Sequence, residues 1–412
     1  MNTVLICTGT ELLKGSCCNT DLAFAGARLT EAGIPPMLEM TVGDRPGELA
    51  FALAAALKHA DTVILSGGLG PTRDDITLET AARFFGLELA EVPELRTKVE
   101  ICWAERHGGR CPKQQYKQAR IPVGGRYFPN PAGVASGIGV DVTYAGVPRH
   151  VYLLPGPPGE FEAVLTAMLP ELRTLAGRKT FTAGFLVCGM GETFVAKTVE
   201  PLLRTIPVEI AYTAQSGGTK LFLSGAETDV LPALETCRAA LGRNALPTGE
   251  YSLPEHLVRV LAERGERCGC AESCTGGLVA DALVGIPGAS ACFQGGIVAY
   301  ANAVKHDLLR VPEEILRTCG AVSAPCAEAM ALGACAALNC DCAVSTTGIA
   351  GPDGGTPEKP VGLVFVGAAH HGLAAVRELR LHGSRRMIRE RAAAQALLLL
   401  KDLLDGGGDN LC

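Results

Sequence analysis

Short apolar runs alternate with helix-length amphipathic segments in the first part of the chain, and this alternation limits the possible folds most strongly. An apolar run at residues 4–8 leads to a helical pattern that stops at Gly33, and further strand patterns follow at 37–42 and 62–65. Strands that alternate with helices of this length form parallel sheets that are covered on both faces. The pattern therefore predicts an α/β fold with a doubly wound sheet in its first domain.

The length of 412 residues favours several domains, because a single hydrophobic core stops growing well below this size. After the first domain the patterns become shorter and mixed, which indicates a small α+β module. A third α/β domain follows a Pro-Thr-Gly-Glu segment at 247–250 that is typical of a linker. We predict domains at 1–176, 177–246 and 247–404, followed by a flexible tail at 405–412.

Charge and hydropathy argue against two classes of partner. The chain has 43 acidic and 37 basic side chains, a net charge of −6, and no clustered basic stretch, so nucleic acid is not an expected partner. It has no signal-peptide pattern at its start and no apolar run near the ~20 residues that span a bilayer. We therefore expect a cytoplasmic protein that makes no membrane contact.

The 17 cysteines do not form a recognisable metal or disulfide framework. Their number is odd, and none of them has the Cys-x-x-Cys spacing of zinc sites. We interpret them as reduced thiols, mostly in the core. Cys268 and Cys270 are expected to point to opposite faces of one strand.

A serine stands where a predicted strand of the third domain turns into a helix. The strand pattern at 266–271 is followed by Glu-Ser-Cys-Thr-Gly-Gly and by a helical pattern at 278–283. Free N–H groups and the helix dipole at such a junction stabilise the negative charge of an oxyanion, which suits Ser273 as a nucleophile. Ser273 is equally consistent with a simple helix cap.

Two further segments of the third domain fit the same chemistry. Lys305 follows a strand pattern at 297–300, and a lysine that is buried beside a serine acts as a base when its pKa is lowered. A glycine-rich loop at 345–355 lets backbone amides approach a phosphate or carboxamide. Each has an ordinary alternative, because lysines after strands are usually solvated and glycine-rich turns are common.

Taken together, these segments resemble the C-terminal nicotinamide-nucleotide amidohydrolase domain of the CinA family. The resemblance rests on motifs at 271–277, 287–290, 320–323, 347–355, 359–362 and 383–385, with Tyr300, Lys305 and Arg389. It implies a deamidase that converts nicotinamide mononucleotide (NMN) and water to nicotinate mononucleotide and ammonia. It also implies that this reaction needs no cofactor, and the domain shows no His or Cys ligand set by spacing.

The resemblance assigns roles to individual residues. Ser273 would attack the carboxamide carbon, Lys305 would take its proton, and Tyr300 would orient the pair. Thr347 and Arg385 would bind the nucleotide or the oxyanion. The remaining substrate-binding residues implied are Thr275, Gly276, Gly277, Gly348 and Gly351. The sequence departs from the family at Ser384, where aspartate is usual, so the direction of the Arg385 side chain is in doubt.

A glycine-rich motif in the first domain indicates a second site. The sequence Ser-Gly-Gly-Leu-Gly-Pro-Thr-Arg-Asp-Asp-Ile-Thr at 66–77 follows a buried strand and opens a helix, where doubly wound sheets bind phosphate groups. Asp74 and Asp75 have the hard oxygen ligands that suit a divalent cation bound together with phosphates. Alternatively, Asp75 caps the following helix.

This motif and those at 9–15, 42–44 and 154–160 resemble the molybdopterin-binding, MoaB/Mog-type domain that begins full-length CinA proteins. The resemblance implies an ADP-ribose pyrophosphatase that depends on Mg, Mn or Co. Asp44, Asp74 and Asp75 would be metal ligands, and Asp75 would also be catalytic. The pyrophosphate would contact Gly67, Gly68, Gly70 and Thr72. The sequence departs from the family pattern at Asp21, where asparagine is common.

The middle module resembles the KH-type domain of the family, but it lacks the Gly-x-x-Gly loop that clamps nucleic acid. We interpret it as a spacer or dimerisation element in a homodimer. An alternative function is a competence or DNA-damage adaptor, or a molybdopterin-binding protein, without catalysis. The adaptor hypothesis predicts a function that is independent of Ser273 and Lys305.

Overall fold

A computed structural model describes residues 1–177 and 181–406 of the chain, which separates into two compact units. The first unit comprises residues 1–182 and 224–227, and the second comprises 183–223 and 228–412. Most of the predicted tail, residues 407–412, lies outside the described part of the chain. None of the described helices combines the length and the apolar character needed to cross a membrane.

A six-stranded sheet forms the centre of the first unit, in the order β2-β1-β3-β8-β7-β6. Strands β2, β1, β3 and β8 are parallel, whereas β7 and β6 are antiparallel additions at one edge. A separate ribbon pairs β4 with β5. The strands are β1 (Thr3–Thr8), β2 (Pro36–Val42), β3 (Thr62–Ser66), β4 (Leu89–Glu91), β5 (Arg120–Pro122), β6 (Arg126–Phe128), β7 (Gly137–Tyr144) and β8 (Val147–Leu154).

Helices cover both faces of this sheet, which explains why its central strands are apolar along their whole length. Val4 and Ile6 of β1 pack with α3, α4 and α5 on one face, while Leu5 packs with α2 and α6 on the other. The helices are α1 (Thr10–Leu13), α2 (Thr20–Glu31), α3 (Pro46–Ala56), α4 (Thr77–Phe85), α5 (Pro93–His107) and α6 (Pro158–Ala176). The predicted doubly wound α/β domain is confirmed.

The second unit begins with a small antiparallel module. Its sheet has the order β10-β11-β9 and carries two helices. The elements are β9 (Phe181–Cys188), α7 (Glu192–Leu203), β10 (Glu209–Gln215), β11 (Gly218–Gly225) and α8 (Glu227–Leu241). The segment 247–250 is not a free linker as predicted, because Glu250 O accepts the Leu186 N–H and Gly249 N–H donates to Gly184 O, both at 2.8 Å.

A five-stranded sheet in the order β13-β12-β14-β15-β16 forms the larger part of the second unit. Strands β13, β12 and β14 are parallel, and β15 and β16 are antiparallel to their neighbours. Helices α9, α10 and α14 pack on one face, and α11, α12 and α13 on the other. The strands are β12 (Cys268–Glu272), β13 (Phe293–Val298), β14 (Cys342–Gly348), β15 (Leu363–His370) and β16 (Leu373–Arg380). The helices are α9 (Leu253–Arg264), α10 (Leu278–Val284), α11 (Asn302–Leu309), α12 (Glu313–Thr318), α13 (Ala324–Leu338) and α14 (Arg385–Leu404).

The order of these strands places a crevice at the end of β12. The chain passes from β12 to β13 on one side and later returns to β14 on the other side. In open α/β sheets, the loops at such a reversal of strand order separate and leave room for a ligand at the carboxyl ends of the strands. Ser273 follows β12 at this point.

The cysteines of the described residues are free thiols, and many of them are buried. The expectation that Cys268 and Cys270 point to opposite faces of β12 is wrong. Residues two apart on a strand share a face, and both thiols belong to the core beneath α9, α10 and α14.

Candidate active sites

The nucleophile loop at residues 273–277 is shaped by a buried carboxylate, not by Ser273. The Glu272 carboxylate accepts the Thr275 hydroxyl at 2.6 Å and the N–H groups of Gly277 and Ala280 at 2.8 Å each. Ser273 uses its own N–H to bond Thr346 O at 2.9 Å. Glu272 therefore caps α10, and the alternative in which Ser273 is the cap is wrong.

This cap changes the predicted role of three residues. The Thr275 hydroxyl is fully buried and bonds Glu272 and Thr346, and the Gly277 N–H is taken by Glu272. Gly276 and Gly277 adopt φ values of +60° and +103°, which favour glycine. Thr275, Gly276 and Gly277 do not line the pocket described below. They shape the loop instead, and the N–H groups of Gly277 and Ala280 at the start of α10 are already bonded to Glu272.

Lys305 lies in the first turn of α11 and is buried, with 1% of its surface exposed. Its Nζ is 3.1 Å from Ser273 Oγ, 2.7 Å from Ala299 O and 3.1 Å from Tyr300 O. No carboxylate of the described residues lies within 4.0 Å of this amine. Burial lowers the pKa of Lys305 below its ordinary value. The alternative of a solvated surface lysine is therefore wrong.

These contacts orient the amine toward the serine. A neutral lysine has two N–H donors and one lone pair. The carbonyls of Ala299 and Tyr300 accept the two donors, and the lone pair is left to face Ser273 Oγ. The arrangement can remove the proton of the serine hydroxyl.

Tyr300 enters this arrangement through its main chain. Strand β13 ends at Val298, so Tyr300 lies in the following loop and not in the predicted strand. Its side chain is 68% exposed at the rim of the pocket, and only its carbonyl contacts Lys305. Tyr300 therefore contacts the pair through its carbonyl, and no hydrogen bond of its hydroxyl occurs among the described residues.

A pocket of about 200 Å³ opens beside the serine and the lysine. Thr347 and Arg385 line it, and each also bonds a loop carbonyl: Thr347 Oγ1 donates to Ala321 O at 2.7 Å, and Arg385 Nη1 donates to Gly351 O at 2.6 Å. Gly351 itself does not line the pocket. The lining residues are Ser273, Cys274, Tyr300, Asn302, Lys305, Ala321, Val322, Thr347, Gly348, Ala350 and Arg385.

The departure at Ser384 has a simple structural consequence. Ser384 is the N-cap of α14, and its Oγ accepts the Met387 N–H at 3.3 Å. Serine and aspartate are both good N-caps. Arg385 is therefore held in the first turn of α14, where it reaches the pocket.

Two basic residues of the matched motifs were not assigned a role from the sequence. Arg389 donates from Nε to Cys274 O at 3.1 Å and from Nη2 to Thr275 O at 2.5 Å. Lys359 Nζ donates to Cys319 O at 2.7 Å and to Val322 O at 2.8 Å. Both side chains hold loops that form the pocket. The only sequence signal was their position inside long motifs.

A larger pocket of about 600 Å³ lies in the first unit, among the loops that follow β1, β2, β3 and β8. Gly67, Gly68 and Gly70 line it, whereas Thr72 does not. Six of its lining side chains are acidic, and none of the described residues that line it is lysine or arginine. The acidic residues are Glu11, Asp21, Asp44, Asp74, Asp75 and Glu160.

Close packing within the protein itself requires the glycines of this pocket, whether or not a ligand binds there. A Cβ on Gly67 would lie 2.6 Å from Thr8 O, and one on Gly68 would lie 2.2 Å from Thr77 Oγ1. Both residues also have positive φ values, +97° and +69°. The loop therefore fits tightly between β1 and the start of α4.

The three predicted metal ligands line the pocket but do not form one ligand group. Asp44 Oδ2 accepts the Thr10 N–H at 2.8 Å. The Asp74 and Asp75 carboxylates both accept the Thr72 hydroxyl, and Asp75 also accepts the Thr72 N–H at 2.8 Å. Within residues 1–177 and 181–406, these three are not among the acidic, His or Cys groups whose ligand atoms all lie within 4.8 Å. As arranged, they do not fit a single ion.

Two further details of this pocket differ from the sequence interpretation. Asp75 does not cap α4, because its carboxylate turns back to Thr72 and the N-cap position is Ile76. Asp21 accepts the Ser66 hydroxyl at 2.6 Å, and burial raises the pKa of its carboxyl above the ordinary value. Asp21 therefore adds an acidic group to the floor of the pocket.

Comparison with known proteins agrees with both halves of the chain. The family profile described as CinA C-terminal domain matches residues 250–404, and that described as probable molybdopterin binding domain matches residues 4–174. A CinA-like protein of Dictyoglomus turgidum is 39% identical over 411 residues, which cover 97% of this chain and 98% of the relative. A CinA-like protein of Gloeobacter violaceus is 37% identical over 409 residues, which cover 96% and 95%.

Solved structures are similar to part of the chain. The competence/damage inducible protein CihA from Agrobacterium tumefaciens is 42% identical, with a TM-score of 0.36, and the match covers 37% of this chain and 93% of that one. Identity over nearly the full length of the relatives is much stronger than such a partial match. The chain is therefore a member of the CinA family, with a molybdopterin-binding-type domain at its start and a CinA C-terminal domain at its end.

Proposed function

We propose that the C-terminal pocket hydrolyses the carboxamide of NMN, giving nicotinate mononucleotide and ammonia. The observation that carries this proposal is the Lys305 amine, which is buried without a counter-charge and lies 3.1 Å from Ser273 Oγ. A base held in this way activates a serine that is otherwise a weak nucleophile.

Each step of the reaction has a residue to carry it. Ser273 Oγ attacks the carboxamide carbon while its proton moves to Lys305 Nζ. The tetrahedral intermediate collapses when the C–N bond breaks, and Lys305 returns the proton to the leaving ammonia. Water then attacks the acyl-enzyme, again with Lys305 as base, and releases the carboxylic acid and Ser273.

The pocket offers groups for the charged parts of the substrate. Arg385 lines it and is a permanent cation that suits either a phosphate or the developing oxyanion. The volume of about 200 Å³ is below the ~300–1,000 Å³ of common small-molecule pockets. The pyridine ring with its carboxamide would enter, and the ribose phosphate would stay at the rim.

Ammonia release from NMN by the full chain tests this proposal. Ser273→Ala should lower the rate by at least about 10³-fold, since the nucleophile is lost. Ser290→Ala, at an exposed serine outside the pocket, is the matched control and should keep the wild-type rate. Deamidation that persists in Ser273→Ala would remove this residue from the mechanism.

For the N-terminal pocket we propose hydrolysis of ADP-ribose in the presence of a divalent metal. The supporting observation is the lining of six acidic side chains without a lysine or arginine. Such a pocket repels a pyrophosphate unless cations accompany it. Because Asp44, Asp74 and Asp75 do not form one ligand group, the position of a metal is left open and no step is assigned to it.

Hydrolysis of ADP-ribose with and without added Mg²⁺, Mn²⁺ or Co²⁺ tests the second activity. Asp75→Ala should reduce the metal-dependent rate by at least about tenfold, because it removes a pocket carboxylate that orders the 72–75 turn. Glu105→Ala, at an exposed acidic residue of α5, is the control. An unchanged rate in Asp75→Ala would contradict the assignment of this residue.

The adaptor hypothesis is favoured by the names of several full-length relatives, which include the words competence-damage inducible protein. It predicts that the cellular role of the chain survives both Ser273→Ala and Lys305→Met. The buried serine and lysine pair is unexplained by this hypothesis, and we therefore prefer the enzyme.

A further inference from the structure

Two imidazoles and one carboxylate meet at the end of the large sheet that lies away from Ser273. Glu266 follows α9, His370 is the last residue of β15, and His371 begins the turn to β16. His370 Nε2 lies 3.1 Å from Glu266 Oε2, and His371 Nε2 lies 3.5 Å from Glu266 Oε1. One ligand atom from each of the three residues lies within 4.8 Å of the other two.

The distances suit ligands that surround one ion. In a tetrahedral site with metal–ligand bonds of ~2.0–2.1 Å, the ligand atoms lie about 3.3 Å from one another. The imidazole-to-carboxylate distances are 3.1 Å to Oε2 and 3.5 Å to Oε1 of Glu266, and one ligand atom from each of the three residues can be chosen so that all lie within 4.8 Å, which a small rotation of the side chains would shorten to the tetrahedral value. The Glu266 carboxylate has no lysine or arginine partner within 4.0 Å in the described part of the chain, and its side chain is only 18% exposed.

The backbone at His371 is a second, independent feature. His371 and Gly372 form the two-residue turn between β15 and β16, with φ values of +47° and +82°. Turns of this geometry favour Asn-Gly, because both central residues have positive φ. Histidine is one of the non-glycine residue types enriched at positive φ, and this turn holds the His371 imidazole 3.5 Å from the Glu266 carboxylate.

This cluster is separate from the proposed deamidase site. His370 pairs with Cys342 at the start of β14, whereas Thr347 and Gly348 reach the pocket at the other end of that strand. Six residues of a strand span about 20 Å at ~3.3 Å per residue. A ligand bound here would not contact the reacting atoms.

We propose that Glu266, His370 and His371 bind one transition-metal ion of the Zn²⁺ type, with water completing the coordination. Two imidazoles and a carboxylate favour Zn²⁺, Co²⁺ or Ni²⁺ over the hard ions Mg²⁺ and Ca²⁺. The ion connects the β15–β16 turn to the segment after α9, and its role is to stabilise this end of the sheet. Glu266 and His370 lie 104 positions apart in sequence, so the spacing of residues along the chain did not reveal the site.

Titration of the full chain with Zn²⁺ against a chromophoric chelator tests the site. Cys17→Ser and Cys18→Ser are included to remove two exposed adjacent thiols that would compete for the metal. We expect one Zn²⁺ per chain at this site and a higher thermal midpoint with the metal. His371→Asn, which suits the positive φ of the turn, should weaken binding at least tenfold and leave NMN deamidation and the metal-free thermal midpoint unchanged.

Glu266→Gln should weaken Zn²⁺ binding to a similar extent. The control is His150→Asn, because His150 contacts a single carboxylate, Asp141, at 2.7 Å and should not contribute to binding. Co²⁺ spectra distinguish a cysteine site from the proposed site. Thiolate ligands give intense sulfur charge-transfer bands, whereas imidazole and carboxylate ligands give none. Wild-type Zn²⁺ affinity in His371→Asn, or a Co²⁺ spectrum dominated by thiolate bands, would overturn the proposal.

Discussion

Lys305 determines what the C-terminal pocket can do, because burial changes the protonation of its amine. The side chain is 1% exposed and has two carbonyl acceptors and the Ser273 hydroxyl as neighbours. Desolvation disfavours the charged form and lowers the pKa. The neutral amine that a general base requires is thereby available at a lower pH than for an exposed lysine.

The same shift makes the stability of the wild-type protein depend on pH. A lysine whose folded pKa is lowered binds its proton more weakly in the folded state, so the folded state is destabilised as the pH falls from the ordinary lysine pKa to the lower folded pKa. We expect the unfolding free energy of the wild type to rise relative to that of Lys305→Met as the pH is raised toward the ordinary lysine pKa of 10.5. Urea unfolding at several pH values measures this difference, and a relative fall with rising pH would contradict it.

The members of the candidate site could be predicted from the sequence where the fold alone brings the residues together. Ser273 follows a strand at the carboxyl edge of the sheet, and Lys305 lies one loop and part of a helical turn beyond the neighbouring strand. The directions of hydroxyl and carbonyl groups could not be predicted, because they depend on loop geometry. This is why the sequence did not reveal that the Tyr300 carbonyl contacts Lys305, or that the Thr275 hydroxyl is used in buried hydrogen bonds.

The element that positions the nucleophile is the loop between β12 and α10. Glu272→Gln replaces a carboxylate that accepts four donors, including the Cys270 thiol, with an amide whose NH₂ group must face some of them. We expect a loss of about 1–3 kcal/mol in unfolding free energy, since a buried donor is left unsatisfied. The kcat for NMN should also fall with little change in KM, because the loop positions Ser273.

Urea unfolding and steady-state kinetics measure these two effects. Glu328→Gln, at an exposed residue of α13, is the control and should change neither quantity. If Glu272→Gln keeps the wild-type kcat while the unfolding free energy falls, the cap stabilises the fold without positioning the serine.

Helices could be predicted more closely than edge strands. Helix α4 begins at Thr77, where the motif at 66–77 was expected to open a helix, and it ends at Phe85 because Gly86 takes the left-handed conformation that ends a helix. Strands β6 and β7 were missed. Strand β7 joins β8 through a two-residue turn, Ala145-Gly146, with no intervening helix, so the alternation of strands and helices did not reveal it.

For the molecule as a whole, the α/β fold could be predicted because both large sheets are covered on two faces and their central strands are buried along nearly their whole length. The placement of the small module could not be predicted. Leu186 and Leu246 of this module pack in the same core as Leu398 of α14, a contact between residues far apart in sequence. Patterns of local periodicity contain no information on such packing.

Two chemically different pockets in two compact units predict two separable activities. Ser273→Ala should abolish ammonia release from NMN and leave metal-dependent ADP-ribose hydrolysis within about twofold of the wild type, because the two pockets have no lining residue in common. Asp75→Ala should have the opposite effect. Measuring both reactions on each full-length variant tests this, and a variant that loses both activities while still folded would contradict the independence of the sites.

The pH dependence of kcat/KM for NMN deamidation shows whether a buried neutral lysine activates Ser273. Between about pH 6 and about pH 10, kcat/KM should rise with pH and then level off, because only the neutral amine accepts the serine proton. The midpoint of this rise should lie below the ordinary lysine pKa of 10.5. Lys305→Arg, which stays charged, should lower the rate by about 10²–10⁴-fold and remove this rise. A wild-type rate that is independent of pH over this range, or an active Lys305→Arg variant with the same profile, would contradict the account.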